Sequence, residues 1–356
     1  MNLDDLGYTN ELSAYVADNN LSSFSIGRVI QENRERYIVF TGENEYDAEI
    51  TGNLRYSATS RTDFPAVGDW VAMTVYDSSL AIINKVLPRK SVLERQAVGK
   101  FGEIQIISAN IDVALIVQAI NNNFSINRLE RYLTICYSAN IHPVLVISKI
   151  DLSTEDEIRD AVTALENRDK KVQYILLSNI THRGFDQILG LIQSRKTYCV
   201  VGSSGVGKST LINNLLKKDI LRTGQISLST NKGKHISDRR ELFVLQNGGI
   251  IIDTPGMKEL GITDSQDGIR TTFHEILDIS MQCKFPDCKH KSETGCAVLE
   301  ALDKGVIDKD LYDNYMKIMK EQEWFQTTVS EKRKRDREIA KLIKNYYKDI
   351  NKKNDN

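Results

Sequence analysis

Hydrophobic and polar positions along this chain change rhythm twice. Between residues 24 and 87, short runs alternate with the period of a half-buried strand, as in Trp70, Ala72 and Thr74 set against Val71, Met73 and Val75. Strands are expected at 25–32, 36–42, 46–52, 69–76 and 80–87, with Gly42, Gly52 and Gly68 as punctuation. Five short strands of this kind fit a small closed β unit of OB type. From about residue 104 the rhythm becomes that of buried strands alternating with amphipathic helices. Apolar runs fall at 113–117, 144–147, 172–177 and 198–201, and helical patterns at 127–138, 155–166, 185–192 and 209–216. Runs at 243–245 and 250–252 flank Asn247-Gly248-Gly249, a hairpin signal. A helix is expected at 269–279, then a cysteine-rich stretch, then charged helix from 297 to 350. The expected architecture is multi-domain: an N-terminal extension at 1–21, an OB-like β-barrel at 22–92, an α/β domain at 93–265 and a mostly α-helical C-terminal domain at 266–356.

Charge adds an asymmetry that the periodicity does not show. Forty-seven Lys and Arg stand against 48 Asp and Glu, so a nucleic-acid surface requires local segregation rather than overall excess. Residues 331–356 carry ten Lys or Arg against five Asp or Glu, whereas the first twenty residues contain no Lys or Arg. The basic stretch is a candidate RNA contact, with a solvated helix face as the alternative. No apolar run reaches the ~18 residues of a membrane span, and a cytoplasmic protein without a membrane partner is expected. No coiled-coil seam is visible, so a monomer is expected. Five cysteines do not make a disulfide scaffold, and Cys136 and Cys199 lie in apolar stretches that suit buried small hydrophobes.

The candidate chemistry begins at Gly202-Ser203-Ser204-Gly205-Val206-Gly207-Lys208-Ser209-Thr210, which follows the strand at 198–201 and precedes a helix. That setting is what a phosphate-binding loop requires. The three glycines let backbone amides turn inward onto phosphate oxygens; Lys208 supplies the catalytic cation for the β and γ phosphates, and the Ser209 hydroxyl takes magnesium. Asp253-Thr254-Pro255-Gly256 sits at the end of an apolar run, so Asp253 can hold magnesium and the Gly256 amide can meet the γ-phosphate, although the tetrapeptide alone could be a turn. Ser148-Lys149-Ile150-Asp151 follows the run at 144–147. One carboxylate can accept both N1–H and the amine of guanine, which is the role expected of Asp151, with the Lys149 stem over the base. Asp151 as cap of the next helix is the alternative. Ser148 stands where the usual motif has Asn, so a phosphate-loop ATPase also remains open. Leu177-Ser178-Asn179 would form a second base-contacting loop, with Ser178 in it. Base motif before phosphate loop before magnesium motif is the order of a circularly permuted GTP-binding domain.

Cys283-x4-Cys288-x-His290-x5-Cys296 offers three thiolates and one imidazole, a closed set that suits one structural zinc ion. Met257 follows Gly256 where many GTPases carry a water-orienting Gln, and a thioether cannot do that work, so turnover is expected to be slow until a partner intervenes. His235 is the candidate for positioning water, with an exposed loop histidine as the alternative. His142, His182 and His274 have no assigned role.

On the barrel, the motif order, the phosphate loop, Asp253-Thr254-Pro255-Gly256 and the Cys/His cluster, the chain resembles the RsgA family, also called YjeQ or YloQ. The resemblance covers nearly the full length. It implies an OB-fold domain, a permuted GTPase domain and a zinc-bearing C-terminal domain, with GTP and GDP as ligands. It also implies the small ribosomal subunit and its RNA as partners, with GTP hydrolysis accelerated there and timing release. The family often carries a run of threonines where this chain has Ile236, Ser237 and Asp238, which leaves Ser237 as the hydroxyl for magnesium. An assembly factor that binds RNA and uses GTP mainly as a structural ligand is the alternative.

Overall fold

The chain is described by a computed structural model over residues 1–33, 35–96, 103–120, 124–168, 172–218, 240–254, 261–263 and 265–354. Strands β1 (Ser25–Asn33), β2 (Arg36–Phe40), β3 (Glu45–Ile50), β4 (Trp70–Val75) and β5 (Leu80–Val86) pair in the order β1-β2-β3-β5-β4, and β4 returns to β1 to close a barrel. The period-two pattern has a direct cause. Val71 and Met73 point into the barrel with Val29, Val39, Ala48 and Ile83, while Trp70 and Ala72 face outward. That outer face is not left to water. Residues read from sequence as an extension form a short 3-10 turn (Asp4–Leu6) and helix α1 (Asn10–Asp18), and their Leu6, Leu12 and Val16 cover Trp70. The strand expected to reach residue 52 stops at Ile50, because the Thr51 hydroxyl accepts from the Leu54 amide and starts helix α2 (Gly52–Ser57).

The hairpin pair β6 (Val92–Gln96) and β7 (Ile104–Ala109) leads out of the barrel and was not foreseen as strands. The α/β domain follows as β8 (Val113–Ala119), α3 (Ile126–Ser138), β9 (His142–Ser148), α4 (Glu155–Arg168), β10 (Tyr174–Leu177), α5 (Phe185–Leu191), β11 (Thr197–Val201), α6 (Lys208–Leu216), β12 (Arg240–Val244) and β13 (Ile250–Asp253). Its strands lie in the order β10-β9-β8-β11-β13-β12, parallel except for β12. Two apolar layers cover the two faces, which is why β8, β9 and β11 read as unbroken apolar runs rather than alternating ones. β11, which feeds the phosphate loop, sits between β8 and β13, so strands that come earlier in the chain complete the sheet around it. β12 also pairs with β1 of the barrel, Gln31 opposite Glu241 and Glu32 opposite Arg240, and one eleven-stranded sheet results.

The C-terminal region departs from two expectations. The helix at 269–279 is two, α7 (Gln266–Thr272) and α8 (His274–Ser280), broken at Phe273, whose buried ring packs on Tyr315. The charged helical stretch is also two, α9 (Ala297–Asp303) and the 46-residue α10 (Lys309–Asn354), separated at Gly305 in the left-handed region. α7 crosses α3 so closely that a Cβ at Gly268 would lie 1.9 Å from the Thr134 carbonyl oxygen. No helix among the described residues is long and apolar enough to cross a membrane.

α10 docks on α3 around a buried carboxyl. Asn314 Nδ2 donates to Glu130 Oε2 at 2.5 Å, Arg168 Nε lies 3.6 Å from Glu130 Oε1, and Arg168 Nη1 lies 2.8 Å from Asp308. Burial pushes the Glu130 carboxyl up to about 7, with Asp308 and Asp310 adding to the rise and Asn314 and Arg168 opposing it. The folded state therefore holds a proton that the unfolded chain releases near 4.5. Stability from this site is full below that value and is lost as pH rises through about 7. Glu130→Gln should melt with the wild type at pH 5 and roughly 2 °C or more above it at pH 8. Parallel melting curves across that range would rule out the buried carboxyl as the source.

Candidate nucleotide site and metal centre

The phosphate loop takes its shape from glycine backbone angles. Gly202, Gly205 and Gly207 all have positive φ, and a Cβ at Gly202 would lie 2.2 Å from the Val117 carbonyl oxygen. Val206 is buried among Leu115, Val117 and Leu177 and pins the middle of the loop to the core. Gly207 caps α6, which starts at Lys208, so Lys208, Ser209 and Thr210 form the first helical turn. Lys208 Nζ donates to the carbonyl oxygens of Gly202 at 2.8 Å and Ser203 at 2.7 Å, bracing the loop across its mouth. Ser204 and Gly205 form the exposed rim, with Ser203 half-buried beside them.

Ser148 lies at the end of β9 and is fully buried. Its hydroxyl is 2.7 Å from the Val206 carbonyl oxygen and 3.2 Å from that of Gln118. The base motif is thus tied to the phosphate loop by the residue that, in sequence, looked like a lost amide. An amide reaches the same loop from elsewhere: Asn179 Nδ2 donates to the Gly207 carbonyl oxygen at 3.1 Å, and Asn214 Nδ2 donates to the Asn179 carbonyl oxygen. Asn179 Oδ1 is buried with no hydrogen-bond partner among the described residues. Sequence reasoning named Ser178 in this loop; Ser178 is buried, and its hydroxyl accepts from the amides of Ile180 and Thr181. Asn179 belongs to the Leu177-Ser178-Asn179 loop expected from the sequence and stands two residues beyond the end of β10; what the sequence did not assign is the bond its side chain makes.

Lys149 is in the left-handed region, which turns the chain sharply after β9; Ile150 anchors the turn in the core, and Asp151 is exposed. Helix capping does not occupy Asp151. Thr154 and Glu157 cap α4 reciprocally, the Thr154 hydroxyl accepting from the Glu157 amide and the Glu157 carboxylate from the Thr154 amide. Asp253 ends β13. Burial pushes its carboxyl up to about 6, the nearby Lys208 charge pulls it down, and Glu241, opposite it across the β12–β13 ladder, pushes it up. The Thr254 hydroxyl donates to the Val200 carbonyl oxygen at 3.0 Å and holds the chain beside β11. Gly256, Met257, His235 and Ser237 lie outside the described residues.

A second site stands between α8, α9 and α10. The ligand atoms of Cys283, Cys288, His290 and Cys296 all lie within 4.8 Å of one another. Cys283 Sγ is 3.6 Å from His290 Nδ1 and 3.9 Å from Cys296 Sγ, and His290 Nδ1 is 3.4 Å from Cys296 Sγ. A tetrahedron with metal–sulfur bonds of about 2.3 Å has edges of roughly 3.8 Å, so the donor set fits zinc in size as well as in chemistry. Cys296 caps α9, its sulfur accepting from the Leu299 amide, and Tyr312 of α10 donates its hydroxyl to the His290 carbonyl oxygen at 2.5 Å. Cys136 and Cys199 are buried, with thiols pushed up by desolvation, and belong to the packed core.

Comparison with known proteins places this geometry. A family model described as RsgA GTPase matches residues 86–263. A small ribosomal subunit biogenesis GTPase RsgA 1 from Bacteroides thetaiotaomicron is 35% identical over 342 residues, 96% of each chain. The crystal structure of YjeQ from Thermotoga maritima superposes with a TM-score of 0.60 at 26% identity, covering 83% of this chain and 98% of that one. YloQ, described as a circularly permuted GTPase, superposes with a TM-score of 0.58 at 23% identity over 84% of this chain and 94% of its own, a likeness of fold. With a matching family model over half its length and a relative of this identity along nearly all of it, the chain belongs to the RsgA GTPase family.

Proposed function

We propose that this chain binds and hydrolyses GTP and works in the assembly of the small ribosomal subunit. The observation that carries the reading is the bond from Ser148 to the Val206 carbonyl oxygen, which sets the guanine motif against a complete phosphate loop despite their order in the chain. The naming of its Bacteroides relative as a small ribosomal subunit biogenesis GTPase supports the cellular role.

In this reading Asp151 accepts from N1–H and the amine of guanine, with the Lys149 stem over the ring. The loop amides from Gly202 to Gly207 and the first turn of α6, with Ser209 and Thr210, meet the phosphates. Lys208 exchanges its two carbonyl acceptors for phosphate oxygens, a trade of neutral partners for charged ones. Ser209 and Asp253 would hold magnesium, which when bound would supply positive charge against the phosphates. Gly256 meets the γ-phosphate, Ser237 adds a hydroxyl to the magnesium and His235 orients water; these three assignments rest on the sequence. Cys283, Cys288, His290 and Cys296 hold zinc with no open position, so the ion is structural and fixes the 283–296 loop against α10 through Tyr312. The protein acts as a cytoplasmic monomer on the small subunit and its RNA.

Four measurements bear on the reading. Phosphate release from GTP should be slow alone and rise on adding small ribosomal subunits; equal rates with and without subunits, or release from ATP at the same rate, would refute it. Asp151→Asn should move preference from GTP to XTP, because an amide donor suits the carbonyl that replaces the amine of guanine, and Lys208→Ala should abolish binding of both. Asn179→Ala should weaken GTP binding about fivefold by freeing the Gly207 carbonyl, read by titration calorimetry. One zinc per chain is expected by elemental analysis, and chelation should lower the melting temperature, whereas Cys296→Ser protein should carry no metal and melt at the chelated value.

A further inference from the structure

The two base-contacting loops leave the sheet side by side. β9 and β10 are parallel neighbours with Leu177 opposite Ser148, so residues 149–151 and 178–180 emerge together at the carboxyl ends of their strands, where an open α/β sheet takes its ligands. Asn179, in the second loop, is held from three directions. Its side-chain amide donates to the Gly207 carbonyl oxygen, at the cap of α6, at 3.1 Å. Its own carbonyl oxygen accepts from Asn214 Nδ2 at 3.1 Å, and Asn214 stands about two turns further along the same helix. The next amide, that of Ile180, donates to the Ser178 hydroxyl at 3.2 Å. One backbone group is left over: among the described residues nothing accepts from the Asn179 amide. A backbone donor without an internal partner is satisfied by water or by a ligand.

We infer that Asn214 is a positioning residue for the base: from the helix that receives the phosphates it fixes the second base loop, so that the Asn179 amide is set as the donor to the O6 oxygen of guanine. The inference rests on the GTPase reading above and deepens it by naming what places the reader of a third polar group on the base edge. In that reading Asp151 accepts from N1–H and the amine. The remaining group on that edge, O6, is an acceptor and requires a donor, whereas adenine presents an amine there that a donor cannot serve. Asn214 acts only through the carbonyl group of Asn179. The first base loop already has its tie to the phosphate loop, from Ser148 to the Val206 carbonyl oxygen. The second needs another, because the Ser178 hydroxyl is turned inward onto the amides of Ile180 and Thr181. Asn179 and Asn214 supply it at two heights on α6, so base and phosphate recognition share one preorganised support.

The test is calorimetric titration of the full chain, in magnesium, with GDP, 6-thio-GDP and pyrophosphate. Sulfur in place of O6 is a weak acceptor, so the wild type should prefer GDP over 6-thio-GDP about fivefold, the worth of one hydrogen bond. Asn214→Ala should weaken GDP about fivefold while 6-thio-GDP and pyrophosphate stay within about twofold of the wild type. Its melting temperature should not fall, since alanine is the better helix former. Asn214→Asp turns an oxygen toward the Asn179 carbonyl oxygen and should lose the same preference. Equal binding of GDP and 6-thio-GDP by the wild type would overturn the inference, as would an Asn214→Ala protein with undiminished GDP affinity or one in which both nucleotides weaken equally. Weakened pyrophosphate binding in that variant would also overturn it, by assigning Asn214 to the phosphate helix alone. Wild-type protein with no preference for GDP over ADP would refute the underlying guanine reading before any substitution is made.

Discussion

Burial of one guanidinium joins the parts of this protein. Arg28, on barrel strand β1, is 1% exposed, and its donors are met by four separate stretches of chain. Nε donates to the Gly68 carbonyl oxygen, Nη1 to that of Leu6 at 2.6 Å, and Nη2 to the Thr197 hydroxyl at 2.9 Å, with the Asn110 carbonyl oxygen 3.4 Å away. Burial lowers its pKa only to about 10, because Asp112 and Asp69 oppose the shift, so the charge persists at neutral pH. A buried charge that loses partners costs several kcal/mol, about 3–5, so the N-terminal turn, the barrel loop and β11 are held to one arrangement. Thr197 begins the strand that delivers the phosphate loop, and its amide is fixed by Asp112. The barrel is thereby part of the foundation of the nucleotide site rather than an appended module.

Circular permutation gives that foundation its consequence. Base motif and phosphate loop come from strands β9 and β11 that are not sheet neighbours, and side chains close the gap: Ser148 and Asn179 hold the carbonyl oxygens of Val206 and Gly207. The flanks of the nucleotide site lead outward to the neighbouring modules. β12 is laddered to the barrel through Gln31 and Glu32, reinforced by Arg240 to Glu32 at 3.1 Å and Gln31 to Glu241 at 2.6 Å. Ile262 is held by Glu321 of α10. The barrel is thus laddered to β12, and the C-terminal helix α10 bonds to Ile262.

Much of the site was legible in the sequence, and the reasons are local. The phosphate loop is written in glycines because its backbone needs positive φ and close approach, and no other residue type serves at Gly202 beneath the Val117 carbonyl. The cluster of three cysteines and a histidine is legible because few side chains ligate metal and four of them stand close together in the sequence, and the fold brings their ligand atoms within 4.8 Å of one another. Unbroken apolar runs marked the strands of the buried sheet and alternating ones the barrel, since burial of one face or two sets the period. The loop that carries Asn179 was legible, but the bonds made by the Asn179 amide and by Glu321 were not: an amide or carboxylate has many ordinary uses, and only the neighbours brought to it reveal which one applies. The departure at Ser148 was visible, but its remedy was not, because a hydroxyl can replace an amide only where the acceptor lies close enough.

By itself, then, the sequence determined the order of the motifs, the glycine-rich loop, the cluster of three cysteines and a histidine and most of the periodic elements, all of which follow from short-range requirements on backbone angle, burial or residue type. Tertiary structure alone decided that residues 1–21 cover Trp70, that β12 joins the barrel sheet, that helix breaks at Phe273 where a ring must turn toward Tyr315, and that α10 holds Ile262. These depend on backbone hydrogen bonds between sheet edges and on pairs of residues as far as 210 positions apart. Neither leaves a signature in composition or period, because a ladder bond uses groups that every residue carries and a distant pair is defined only once the chain has closed around it.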